Sequence, residues 1–146
     1  AQADRWRGGT VAVCTDGAPA DAIEKVAALH RGLGAEVILC TAAEHDEAAA
    51  VVSHLPYLVA SALALSAKAS SPLAQKLKGK GFADMTRLAA FAYDVQGEVA
   101  RQNRHLGAAA TRLQAQLAEL LEGLGQSEAR ARDLLDAARR ARGDRT

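Results

Sequence analysis

Two short apolar runs, Thr10-Val11-Ala12-Val13-Cys14 and Glu36-Val37-Ile38-Leu39-Cys40, are rich in β-branched residues, and each predicts a strand. Between them Asp16-Gly17-Ala18-Pro19 marks a turn, and Ile23, Val26, Ala27, Leu29 and Leu33 recur at helical spacing up to Gly34. Residues 1–42 thus read as one βαβ unit. Two strands do not make a stable sheet, so these either complete a sheet whose other members lie upstream or cap the helical part directly.

After Thr41 the strands stop. A helix is predicted from near Glu44 through His54 and Leu63 to about Lys68, bent at Pro56, which cannot donate to the carbonyl four residues back. Ser70-Ser71-Pro72 punctuates, Leu73 to Lys78 makes a short helical piece, and Gly79-Lys80-Gly81 is a second break. From Asp84 to about Ala92 the residues Met85, Leu88, Ala89 and Ala92 again space helically. Val99, Leu106, Leu113 and Leu120 repeat every seven, with Ala110, Leu117 and Leu124 in the other seam position. Gly123 and Gly125 interrupt the seam, and Leu134, Leu135 and Ala138 resume on a final helix. Such a seam serves equally as an internal core or a dimer interface, because charges such as Arg112 and Glu119 are too sparse for a long isolated coiled coil.

Composition narrows the class. Of 146 residues, 49% are apolar and 3% aromatic, a mix that favours helix packing over a β-sandwich or a base-stacking surface. With 18 Lys+Arg against 17 Asp+Glu, no nucleic-acid partner is expected. The terminal cluster Arg139, Arg140, Arg142 and Arg145 is interleaved with Asp133, Asp136 and Asp144 and reads as a solvated end. Ala48 to Ala67 holds no Asp, Glu, Lys or Arg and is long enough to span a bilayer, but its alanines, serines, His54 and Pro56 argue for burial inside protein. No membrane partner is expected, and a monomer this size struggles to bury such a helix, which implies a partner surface. Cys14 and Cys40 fit neither a disulfide framework nor a zinc site, and two buried thiols of a cytoplasmic protein are expected, neighbours in one sheet. Ala1-Gln2-Ala3-Asp4-Arg5-Trp6 shows no signal pattern and no initiator Met, so a piece of something longer is expected.

Two segments carry candidate chemistry. At 100° per residue Glu47, Ala50, His54, Tyr57 and Ser61 form a polar stripe beside the apolar stripe of Val51, Leu55, Leu58, Ala62 and Leu65. No three-ligand spacing occurs around His45 and His54, so no metal is expected. His54 reads either as a core histidine satisfied by a carbonyl or as a site residue at a bend. In the second segment Asp84, at a helix N-terminus, and Arg87 can pair on one face. That pair is either a surface ion pair or an arginine pre-aimed to grip a carboxylate through two parallel hydrogen bonds.

Together the segments have a likeness. His45-Asp46-Glu47, Ser53-His54-Leu55-Pro56, the run Gly81-Phe82-Ala83-Asp84-Met85-Thr86-Arg87-Leu88-Ala89 and Asn103 resemble the C-terminal half of a prephenate dehydrogenase, over roughly Arg5 to Leu124. The resemblance implies a mostly α fold of the 6-phosphogluconate dehydrogenase C-terminal type: 1–42 the last βαβ unit of an otherwise missing dinucleotide-binding domain, 43–146 a helical substrate-binding and dimerisation domain. It implies oxidative decarboxylation of prephenate to 4-hydroxyphenylpyruvate with NAD or NADP in tyrosine biosynthesis, and a homodimer. The family's catalytic histidine and G-x-G-x-x-G loop belong upstream. No G-x-G-x-x-G occurs here, so this chain is expected to hold no catalytic residue, to bind no cofactor alone and to be inactive alone.

The resemblance assigns Ser53, His54, Tyr57, Gly81, Asp84 and Arg87 to binding a prephenate-like dicarboxylate, with Arg87 as the carboxylate clamp and Asp84 as the acid that orients it. The sequence departs from the family at Tyr57, usually His, at Lys80, commonly Gly, at Phe91-Ala92-Tyr93, usually Ser-Asp-Pro, and at Gln96, often Trp. Those departures leave open arogenate or an amino-substituted prephenate as substrate, and a non-catalytic helical dimerisation module.

Overall fold

The computed structural model describes residues 6–143. The opening residues 1–5 and, in the terminal cluster, Asp144 and Arg145 lie outside the described residues. Strands β1 (Thr10–Cys14) and β2 (Glu36–Cys40) pair in parallel, Thr10 opposite Glu36 and Cys14 opposite Cys40, with α1 (Ala20–Gly32) as the crossover. Because side chains alternate along a strand, Val11, Val13, Val37 and Leu39 share one face and Thr10, Ala12, Cys14, Ile38 and Cys40 the other. α1 stops where Gly34 adopts φ 86°, a left-handed turn that lets Gly34 and Ala35 donate back to the Arg31 and His30 carbonyls. The thiols are not buried as expected. Cys14 is exposed and Cys40 half-buried, because their face of the strand pair borders a hollow rather than a packed layer.

α2 (Ala42–Ala49) begins earlier than the apolar pattern predicts. Its start is set by a capping box: the Thr41 hydroxyl accepts the Glu44 N–H at 3.2 Å and the Glu44 carboxylate accepts the Thr41 N–H at 2.7 Å. The predicted bend at Pro56 is also corrected. The irregularity lies before it, in a π turn at Ala50–His54 whose widened register shows in the Leu55 N–H reaching back to the Ala50 carbonyl. Pro56 has no N–H for the Val52 carbonyl, and the chain widens the turn ahead of it and places the proline in the first turn of α3 (Leu55–Ala69), where no donor is needed. α2, the π turn and α3 form one helical run, Ala42–Ala69, long and apolar enough to cross a membrane by length and composition alone. Only 17% of its most apolar window is buried, so one chain does not cover it, as expected of a monomer this size.

Two short helices follow, α4 (Pro72–Lys76) and α5 (Lys80–Thr86), then a 3₁₀ turn at Arg87–Ala90. α5 starts at Lys80, inside the predicted break and ahead of the expected Asp84, because extended Gly79 serves as its cap, so Asp84 does not stand at a helix N-terminus. A second π turn, Tyr93–Gly97, leads into α6 (Glu98–Gln102). There Tyr93 lies against Gly97, where any side chain would collide with its ring.

The compact units divide after Leu106. The second holds α7 (Leu106–Gln126) and α8 (Glu128–Arg142), joined at Ser127, whose hydroxyl accepts the Arg130 N–H. Gly123 and Gly125 do not interrupt α7. Gly123 is buried because Leu134 of α8 packs where its side chain would be, and Arg130 pairs with Glu119 across the same hairpin at 2.9 Å. Val99 sits on α6, so the heptad seam begins at Leu106, and Leu113, Leu117, Leu121 and Leu124 stay exposed.

Candidate functional site

His54 ends the first π turn with only 7% of its surface exposed. A buried imidazole needs partners for its nitrogens. Asn103, between α6 and α7, supplies one: its Nδ2 lies 3.0 Å from His54 Nδ1 and donates to the Asp46 carbonyl at 2.7 Å. The other end of that amide is pinned by the His105 backbone N–H, which donates to Oδ1 at 2.9 Å. Oδ1 is therefore the acceptor and Nδ2 the donor, and Nδ1 of His54 accepts. The neutral ring carries its proton on Nε2. No buried side-chain nitrogen or oxygen among the described residues lacks a partner, and Nε2 is bonded by none of them, so that atom keeps some solvent access.

Two hollows meet at this ring. One, about 250 Å³, is lined by Asp46, His54, Glu98, Val99, Gln102 and Asn103. Glu98 there accepts from Arg101 at 2.6 and 3.0 Å, from Gln102 at 2.8 Å and from the Tyr93 hydroxyl at 3.2 Å. Those donors, Arg101 first, hold its carboxyl at about 2, below its ordinary 4.5, against a smaller opposing effect of desolvation. The other hollow, about 580 Å³ and mainly apolar, runs between the second face of the strand pair and the α2 side of the helical run, from Thr10, Ala12, Ile38 and Cys40 to Ser53 and His54.

The expected site residues separate in one chain. Ser53 and His54 share the apolar cleft. Tyr57 lines a different crevice with Leu58, Tyr93, Gly97, Ala100, Arg101 and Leu106. The expected polar stripe is broken because the π turn offsets Glu47 and Ala50 from His54, Tyr57 and Ser61. Gly81, Asp84 and Arg87 lie exposed on α5 and the 3₁₀ turn, which pack on α3, and line none of these three hollows.

The expected Asp84–Arg87 pair is absent. Asp84 bonds Lys80 at 2.9 Å, one turn earlier, because α5 starts at Lys80 and gives way to the 3₁₀ turn at Arg87. The Lys80–Asp84 pair is itself exposed and worth about 0 to 1 kcal/mol. The Arg87 side chain makes no hydrogen bond or ion pair among the described residues. The sequence reading missed Asp46, Glu98 and Gln102 as parts of the site, although Glu98, Arg101 and Gln102 stand at i, i+3 and i+4 spacing.

The profile described as "Prephenate dehydrogenase, dimerization domain" matches residues 41–135. The chain belongs to that family. Its fold also matches solved structures. Synechocystis arogenate dehydrogenase aligns at TM-score 0.82 and 24% identity over 95% of this chain and 53% of that one. Aquifex aeolicus prephenate dehydrogenase, in complex with hydroxyphenyl propionate and NAD+, aligns at TM-score 0.83 and 25% identity over 93% and 50%. The chain thus spans about half the length of these structures. A mostly helical body preceded by a short parallel strand pair matches the C-terminal helical domain of these dehydrogenases.

The Aquifex aeolicus structure holds NAD+, and among the described residues the turn after β1 does not fit the phosphate cradle of such a dinucleotide. The turn after β1 has a single glycine, Pro19 contributes no N–H, and the Asp16 carboxylate already accepts the Ala42 N–H. No group of three or more His, Cys, Asp or Glu suited to a metal occurs among the described residues.

Proposed function

We propose that this chain is the C-terminal portion of a prephenate dehydrogenase, residues 1–42 ending its dinucleotide-binding domain and residues 43–146 forming its helical substrate-binding and dimerisation domain. In this reading the intact cytoplasmic homodimer converts prephenate to 4-hydroxyphenylpyruvate and carbon dioxide, and NAD or NADP takes up the hydride. The observation that carries it is His54, a buried ring held through Nδ1 by Asn103 that lines the end of an apolar cleft. A ring substrate bearing oxygen groups suits such a cleft, and the Aquifex aeolicus relative was solved with a hydroxyphenyl ligand carrying a short carboxylate tail.

The hollows at His54 offer carboxylates, Asp46 and Glu98 in one and Glu44 in the other, but no free guanidinium. A dicarboxylate needs a cation, and Arg87, exposed and without a side-chain partner among the described residues, fits that need across an interface between two copies. In the intact enzyme Arg87→Ala is expected to lower kcat/KM for prephenate by about 2 kcal/mol in transition-state terms, roughly 30-fold. Unchanged kinetics rejects Arg87 as the clamp and leaves the helical module without a catalytic role for that residue.

A further inference from the structure

Cys14 and Cys40 stand outside the site described above except where Cys40 touches the apolar cleft. They are register partners on adjacent parallel strands and so project from the same face. Neighbouring strands lie about 4.8 Å apart, inside the roughly 4.4 to 6.8 Å separation between α-carbons that a disulfide tolerates. Both thiols are free, Cys14 exposed and Cys40 half-buried. The strand ends are already tied, because the Thr15 N–H and hydroxyl both donate to the Cys40 carbonyl, at 2.9 and 3.3 Å. A second tie joins Asp16 to the Ala42 N–H just beyond β2. The two sulfurs are thus held side by side with little freedom left to lose on bonding.

We propose that Cys14 and Cys40 form a reversible dithiol–disulfide modification site at the C-terminal end of the strand pair. The oxidant is a small-molecule disulfide. The Cys14 thiolate, the exposed partner, attacks it, forming a mixed disulfide and releasing one thiol. The Cys40 thiolate then attacks the Cys14 sulfur, forming the cross-strand bond and releasing the second thiol. The protein loses two protons and two electrons, and the small disulfide gains them as two thiols. Partial burial, and next the adjacent Cys14, push the Cys40 thiol up, which suits the partner that reacts second.

The test incubates the full chain with oxidised glutathione, quenches it in acid and measures intact mass and peptide linkage. The expected product is lighter by two hydrogens, has lost both alkylatable thiols together, carries a Cys14–Cys40 peptide link and reverts with dithiothreitol. Cys14→Ser and Cys40→Ser are each expected to stop at one glutathione adduct. In urea the closure constant is expected to fall at least about tenfold, because strand register no longer pairs the sulfurs. A wild-type chain that ends with two glutathione adducts, forms only links between chains or keeps both thiols overturns the proposal, as does equal closure in urea. The wild-type mass and the urea comparison decide the matter even if a serine variant fails to fold.

Discussion

Asn103 decides which nitrogen of His54 carries the proton, and it does so through three hydrogen bonds made by one side chain. Asn103→Ala removes all three in a half-buried place and is expected to cost about 1 to 3 kcal/mol in urea unfolding. Nitrogen-15 NMR should find the neutral His54 ring as the Nε2–H form in the wild type and as a tautomer mixture in the variant. A second prediction concerns Glu98. Its folded value of about 2 lies below the ordinary 4.5, so its ionised form stabilises the fold above about pH 4.5. That contribution drains away as pH falls from 4.5 towards 2. Acid unfolding of Glu98→Gln should be flatter through this window, and an equal slope in both proteins would reject the network. His54 and Asn103 were visible as members of a motif, but their bond was not, since they lie 49 residues apart in the chain.

At the scale of elements, local chemistry accounts for most of what forms. Both strands fall where the β-branched runs place them, and Gly34 ends α1 where expected, with its C-cap at Leu33. The π turn was not legible because it answers a missing donor at Pro56 by shifting hydrogen bonds several residues upstream, which a fixed 100° projection cannot represent. Gly123 was misread as an interruption for a related reason, since a glycine in a helix costs propensity unless another element needs the space. Leu134 needs it. Gly123→Ala sets a collision with the Leu134 methyl against the helix-propensity gain of alanine, and is expected to be less stable than Gly125→Ala by about 1 to 3 kcal/mol. Gly125→Ala, where an added Cβ meets nothing, should be neutral or stabilise by up to about 1 kcal/mol. Thermal unfolding of the two variants side by side checks the contrast, and equal shifts would sink it.

For the whole molecule the uncovered apolar surface is the dominant fact: the helical run Ala42–Ala69 is mostly unburied, and Leu117 and Leu121 are 55% and 62% exposed. Surface of this kind calls for a second copy in a family described as a dimerization domain. Sedimentation equilibrium should find a dimer, and Leu117→Glu with Leu121→Glu should weaken it by at least tenfold, about 1.4 kcal/mol. A wild-type monomer would contradict this. The sequence by itself determined the strand pair, the mostly helical character of the rest and the family, because periodicity, caps and motif spacing are short-range properties of the chain. Only the tertiary structure decided which of the candidate residues meet. His54 meets Asn103, Asp84 turns to Lys80, and Arg87 is left without a side-chain partner among the described residues. Such meetings depend on helix register and strand alignment, where a single added residue in a turn redirects every side chain that follows.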